Sequence, residues 1–392
     1  LVALADRSSF ELGRDLAATP GRVVFRNALV EVIQYAPQTD TVWQTPIVLI
    51  QPWINKYYIF DLGARNSMVG YLVRQGYTVF ITSWKNPGPE MRQTGFDDYI
   101  IDGAKTAVEV AIDICQSRHV HAAGYCIGGT ALAAMAGWMA GRQTPNPVSD
   151  ISLFATLLDF SDPGDLAALI NPETVQAIQQ MVSAQGVLQA HQVASAFRLL
   201  NSTDLVWRYV VNNYFCGESP PRSDMLFWNS DGTRLPEAMC KEFLEAFYLD
   251  NRMLEPNALK VRDRAIDLRL VKQPLYIVGA AKDHICPWPA TFQSCRLTGG
   301  KVRYVLADEG HITGIVNPPS PWSKKQYLAG AATRLKNKDK WRAKQQPAKG
   351  SWWPDWLAWL KPHSGRKVNP PAMGSRTYPA REPAPGTYVF EK

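Results

Sequence analysis

The sequence predicts an α/β fold, a mostly parallel sheet with helices on both faces and an inserted helical cap. Three observations predict it. Short β-branched runs alternate with segments of helical spacing. Runs such as "PIVLI" and "YIVG" are apolar throughout, as strands covered on both faces are. Residues 159–273 then break the rhythm with helical segments and long loops, too long for a connection within a compact domain.

In chain order, "GRVVFRN" and "VEVIQYAP" form a first pair of strands, followed by "PIVLI" (46–50) and "YTVFITSW" (77–84). Between these two lies "NSMVGYLVRQG", of helical spacing and closed by Gly76 as a C-cap. A helix within "FDDYIIDGAKTAVEVAIDIC" leads to the strand "VHAAGYC" and the small-residue helix "IGGTALAAMAGWMAG". The remaining strands are "ISLFATLLD" (151–159), "PLYIVGA" (274–280) and "KVRYVLA" (301–307). The predicted cap carries "PETVQAIQQMVSA", "LQAHQVASAFRLL" and "PEAMCKEFLEAFYLDN" as helices, with Trp207, Tyr214, Phe215, Phe227 and Trp228 in between. Residues 1–158 and 274–392 thus form the core with a C-terminal extension, and 159–273 the cap. In the extension, "GSWWPDWLAWLKPHSG" packs its tryptophans as a short helix, and "NPPAMGSRTYPAREPAPG" is an extended, proline-rich end.

The chain has 392 residues, enough for one large core or two domains. It starts at Leu1 rather than Met, which suggests a fragment or processed product. No apolar run reaches the ~18–20 residues of a membrane span. The six cysteines (115, 126, 216, 240, 286, 295) are scattered without a C-x-x-C pair, against a disulfide framework or a cysteine-rich zinc site. A reducing, cytoplasmic setting fits. The net charge of +7 is concentrated between Lys324 and Lys367. Without a nucleic-acid motif beside it, that run reads as a solvated helix face or loop.

"VHAAGYCIGGT" has the form G-x-C-x-G between a strand and a helix, the nucleophile elbow with cysteine in place of serine. Gly124 and Gly128 relieve the sharp turn. The helix N-terminus beneath Cys126 favours a thiolate. The Ile127 N–H points where an oxyanion would form. The other five cysteines lack such a setting and read as structural. A thiol nucleophile needs a base and an orienting acid. Where this elbow occurs, the acid and then the histidine follow it in the chain. His311, in the loop after the last predicted strand, is the base. Asp283, just past "YIVGA", is the acid, with Asp159 and Asp162 as rivals. The second oxyanion donor comes from "QPWINKYY", through the amide of Ile54 or of Trp53.

"GYCIGGT", "QPWINKYYIFDL", "VFITSWKNP", "DDYI", "LLDF", "MLFWNSD", "DHICPW" and "GHITGIVNPP", in that order, resemble the polyhydroxyalkanoate synthases, most of all the class favouring short-chain monomers. The resemblance runs over nearly the whole chain. It implies an α/β-hydrolase fold with a cap, and Cys126, Asp283 and His311 as catalytic residues. His284 also matches a family motif position and stands as possible support. A departure is "QPW", where the family often has "PPW" or "PPC"; a backbone amide role survives it. The implied reaction polymerises (R)-3-hydroxyacyl groups from coenzyme A thioesters, most simply 3-hydroxybutyryl-CoA, through an acyl thioester on Cys126. The thioester is the substrate, and neither cofactor nor metal is implied. The implied partners are the growing polyester, the granule surface in the cytoplasm and a second copy of the chain through the cap, with no nucleic acid. The resemblance also implies a further N-terminal domain, absent from this chain. One rival is a cysteine hydrolase of the same fold acting on a thioester or lactone. Another is a non-enzymatic granule coat, which an intact nucleophile, acid and base disfavour.

Overall fold

The computed structural model describes residues 6–142, 146–200, 211, 215–217, 219 and 221–392. Ten strands form one sheet: β1 (Gly21–Arg26), β2 (Val30–Tyr35), β3 (Ile47–Ile50), β4 (Val79–Trp84), β5 (Val120–Tyr125), β6 (Val148–Phe154), β7 (Leu275–Ala280), β8 (Val302–Ala307), β9 (Gln326–Ala331) and β10 (Ala348–Lys349). Their spatial order is β1-β2-β4-β3-β5-β6-β7-β8-β9-β10. The six from β4 to β8 pair in parallel. The outer pairs on both sides are antiparallel.

Every residue of β3, β5 and β7 is buried, because helices cover both faces. Side chains alternate between two cores. Val48, Ile50 and Ala122 face the helix Ile127–Ala140 through Leu132 and Met135. Ile47, Leu49 and Ala123 face the helices Met68–Arg74 and Trp353–Leu360. The Ser67 hydroxyl caps the former by accepting the Gly70 N–H, and Gly76 at φ 76° closes it.

Between β6 and β7, among the described residues, no strand joins the large sheet. Helices Pro172–Gln185, Ala190–Leu200, Asp224–Asn229 and Glu237–Phe243 fill the interval, with two short ribbons. Trp207 and Tyr214 lie outside the described residues. Phe243 and Phe96 pack edge-on against Trp53, which couples this segment to the loop after β3.

Two differences from the sequence reading stand out. The strand predicted at 151–159 runs from Val148 to Phe154, because the backbone turns sharply at Ala155 (φ 44°). The lysine-rich run, predicted as a helix face or loop, contains β9 and β10. β9 pairs with β8, with its central residues half-buried and its ends exposed, so it lacks an apolar signature. The predicted tryptophan helix is present. Trp352, Trp353 and Trp356 are fully buried, and their indole N–H groups donate to Gly314 O, Ile315 O and Ser152 Oγ. The first two bonds pin the loop after β8 from beneath.

Candidate active site

Cys126 follows β5 directly and caps the helix Ile127–Ala140. Its backbone has φ 51° and ψ −127°, which a non-glycine residue adopts only when its surroundings enforce it. A Cβ on Gly124 would lie 2.5 Å from Gly129 Cα, and one on Gly128 would lie 2.5 Å from the Ile50 carbonyl oxygen. Backbone meets backbone at both points, so the elbow admits only glycine there.

Asp283 opens the loop after β7. Its Oδ1 accepts the N–H groups of Ile285 at 2.9 Å and Cys286 at 2.8 Å, an Asx-type turn. Its Oδ2 lies 2.7 Å from His311 Nδ1. The Asp283 side chain is wholly buried and that of His311 is 10% exposed. The Tyr125 ring lies 5.2 Å from the imidazole, and its hydroxyl donates to the His311 carbonyl at 3.2 Å. Since Asp283 occupies Nδ1, Nε2 is the nitrogen left for the thiols. The ligating atoms of Cys126, Cys286 and His311 all lie within 4.8 Å of one another.

The three groups set one another's charge. The hydrogen bond from the Cys286 thiol lowers the Cys126 pKa most. Burial opposes it, and the imidazolium of His311 adds to it, so Cys126 is held at about 5. Burial disfavours a charged His311. The Asp283 carboxylate and the Cys126 thiolate outweigh that and raise it to about 10. The bond to Cys126 and burial push Cys286 well above an ordinary thiol. These shifts favour a thiolate–imidazolium pair beside a neutral thiol.

The Ile127 N–H beside the Cys126 sulfur favours its thiolate. Ile54 lines the same small cavity as Cys126, and among the described residues its N–H has no acceptor. The Ile54 carbonyl accepts the Thr233 N–H at 2.8 Å, and Trp53 O accepts the Thr233 hydroxyl. Lys56, two residues on, is buried. Its ammonium donates to Tyr388 O at 3.0 Å and Glu391 O at 2.7 Å. Its carbonyl accepts the Trp228 indole N–H. The cavity measures about 70 Å³ and is roofed by Trp228 and Asn229. Ligand pockets commonly span ~300–1,000 Å³, so this cavity is smaller than a ligand pocket usually is.

Cys126, Asp283 and His311 thus meet as the sequence predicts, with Ile127 and Ile54 beside them. The acid rivals lie elsewhere: Asp159 bonds to Ser161 and Asn251, and Asp162 accepts the Gly164 N–H. His284 turns away. Its carbonyl accepts the Asp165 N–H, and its imidazole has no hydrogen bond among the described residues. Cys286, read from sequence as structural, is instead part of the site. The turn capped by Asp283 brings it back to Cys126, and a carboxylate three residues before a cysteine was the available signal.

A family model described as alpha/beta hydrolase fold matches residues 46–318, and one described as the N-terminus of poly-beta-hydroxybutyrate polymerase (PhaC) matches residues 1–72. The poly(3-hydroxyalkanoate) polymerase subunit PhaC of Cupriavidus necator is 39% identical over 397 residues, covering 100% of this chain and 67% of that protein. The chain belongs to the poly(3-hydroxyalkanoate) polymerase family. The polymerase of Methylorubrum extorquens is also 39% identical, over 100% of this chain and 64% of its own length. Poly(3-hydroxyalkanoate) polymerase 2 of Ectopseudomonas oleovorans is 39% identical over 99% of this chain and 69% of its length. The chain therefore spans about two thirds of the family members it matches.

Proposed function

We propose that this chain carries the catalytic part of a poly(3-hydroxyalkanoate) polymerase, transferring (R)-3-hydroxyacyl groups from coenzyme A to a growing polyester. The observation that carries the reading is a cysteine on a strained turn, close to a histidine that a buried carboxylate orients. Family membership supports the substrate class.

The Cys126 thiolate attacks the thioester carbonyl. The Ile127 and Ile54 amides receive the charge that develops on its oxygen. The tetrahedral species collapses, the coenzyme A sulfur leaves with the proton from His311 Nε2, and the acyl group stays on Cys126. One thioester replaces another, so the step is nearly thermoneutral and the acyl group stays activated. His311 then takes the proton of a 3-hydroxyl, whose oxygen attacks the Cys126 thioester. An oxygen ester forms, the thiolate is regenerated, and this step runs downhill. Asp283 holds His311 by Nδ1 in both steps.

Water competes for the acyl-enzyme. A cavity of about 70 Å³ lined by Trp228 leaves little room for water beside Cys126. The segment 159–273 then acts as a cap that opens for coenzyme A and for polymer. No described helix is long and apolar enough to cross a membrane. We place the enzyme at the surface of cytoplasmic polymer granules, as a dimer formed through the cap.

Product analysis with 3-hydroxybutyryl-CoA tests the reading. Polymer with stoichiometric release of coenzyme A is the expected result. Free 3-hydroxybutyrate with no polymer would convert the site to a hydrolase.

A further inference from the structure

The Cys126–Cys286–His311 cluster has a second chemistry that polymer synthesis does not use. We propose that these three residues form a reversible binding site for a thiophilic divalent cation, Zn²⁺ above all, whose occupation shuts the active site. Two sulfurs and one imidazole nitrogen are the donor set zinc prefers. All three donor atoms already lie within 4.8 Å of one another. Zn–S bonds of ~2.3 Å and Zn–N bonds of ~2.0–2.1 Å place tetrahedral donors roughly 3.5–3.8 Å apart, so closure requires shifts of about 1 Å or less.

The outer shell is also that of a zinc site. Zinc-bound histidines are oriented by a carboxylate on the other ring nitrogen. Asp283 Oδ2 lies 2.7 Å from His311 Nδ1 and directs Nε2 to the two sulfurs. The same carboxylate fixes the Cys286 backbone through its N–H. The adjoining cavity of about 70 Å³ accommodates one water molecule as fourth ligand, since a water occupies ~30 Å³. The ion takes the Cys126 sulfur and His311 Nε2 together, so nucleophile and base are lost in one event. Binding displaces the Nε2 and Cys286 thiol protons to solvent. No covalent bond is made, and a chelator restores the site.

The test uses the full chain, stripped of metal, and needs no turnover assay, so it stands or falls apart from the polymerase reading. Zn²⁺ titrated against a chromophoric chelator should bind one ion per chain. It should slow iodoacetamide labelling of Cys126, identified by peptide mass, at least ~10-fold, with recovery on adding a chelator. Cys286→Val and the near-isosteric Cys286→Ser should each weaken binding at least ~10-fold. Cd²⁺ substituted for Zn²⁺ should show a two-thiolate charge-transfer band, halved in Cys286→Ser. Parent affinity in a folded Cys286 variant would overturn the proposal. So would protection confined to the exposed Cys216, or labelling of Cys126 unaffected by the ion.

Discussion

The strand β5 has an acid–histidine pair at each end. Beyond its last residue, Tyr125, stand Cys126, His311 and Asp283. At its start, His121 Nδ1 lies 2.6 Å from Asp150 Oδ2, and His121 Nε2 lies 3.1 Å from the Ser364 hydroxyl. By connectivity alone this second group is a serine triad. About five residues of strand, ~17 Å, separate the two. The differences lie in what surrounds each. Ser364 is fully buried, and its backbone is ordinary at φ −84° and ψ −3°. Its hydroxyl is also engaged with Leu360 O and Tyr77 Oη. Cys126 sits on an enforced left-handed turn, lines a cavity and neighbours an N–H without an acceptor. Hydrogen-bond connectivity does not make a catalytic site. Backbone strain, access and a place for developing charge do.

The largest expected contrast is in turnover. Cys126→Ala should reduce coenzyme A release at least ~10³-fold, as removal of a nucleophile does elsewhere. Ser364→Ala should leave turnover per folded molecule within about threefold. Equal losses in the two would break the comparison. The next contrast is in stability. His121→Ala removes the 2.6 Å hydrogen bond to Asp150 and leaves that buried side chain with Ser149 alone, which costs about 1–3 kcal/mol. A denaturant midpoint equal to the parent's would assign the inner group no structural role. The smallest effect concerns pH. A lowered thiol pKa favours the ionised, reactive form, so reactivity persists above the lowered value and is lost below it. Metal-free Cys126 should therefore be alkylated rapidly from pH 9 down to about 6, with the rate falling through about 5. A peptide cysteine loses reactivity near ~8.5. Cys286→Val should move the Cys126 midpoint upward, because the Cys286 hydrogen bond is the largest cause of the shift.

The parallel heart of the sheet was legible because its strands are buried on both faces and leave unbroken apolar runs. β9 was not, because an antiparallel strand next to the sheet margin with half-buried residues such as Tyr327 and Leu328 reads like the lysine-rich loops around it. Cys126 was legible from local sterics, since Gly124 and Gly128 bracket it. Asp283 and His311 were legible from their order after it. Cys286 was hidden because its role depends on a loop closing back across the sheet, a tertiary event. The inner group shows the converse. His121 and Asp150 lie on neighbouring strands, but Ser364 arrives from the extension, and no local pattern announces the meeting.

The fastening of Lys56 has a consequence in time. The carbonyls that receive its ammonium lie 332 and 335 residues later in the chain. Ribosomes add ~5–20 residues per second, so Lys56 emerges tens of seconds before its acceptors exist. During that interval the loop bearing Ile54 lacks its anchor, and a nascent chain that already contains Cys126, Asp283 and His311 still has an unsecured amide wall. The loop bearing Ile54 therefore gains this anchor late in synthesis, once translation has passed Glu391.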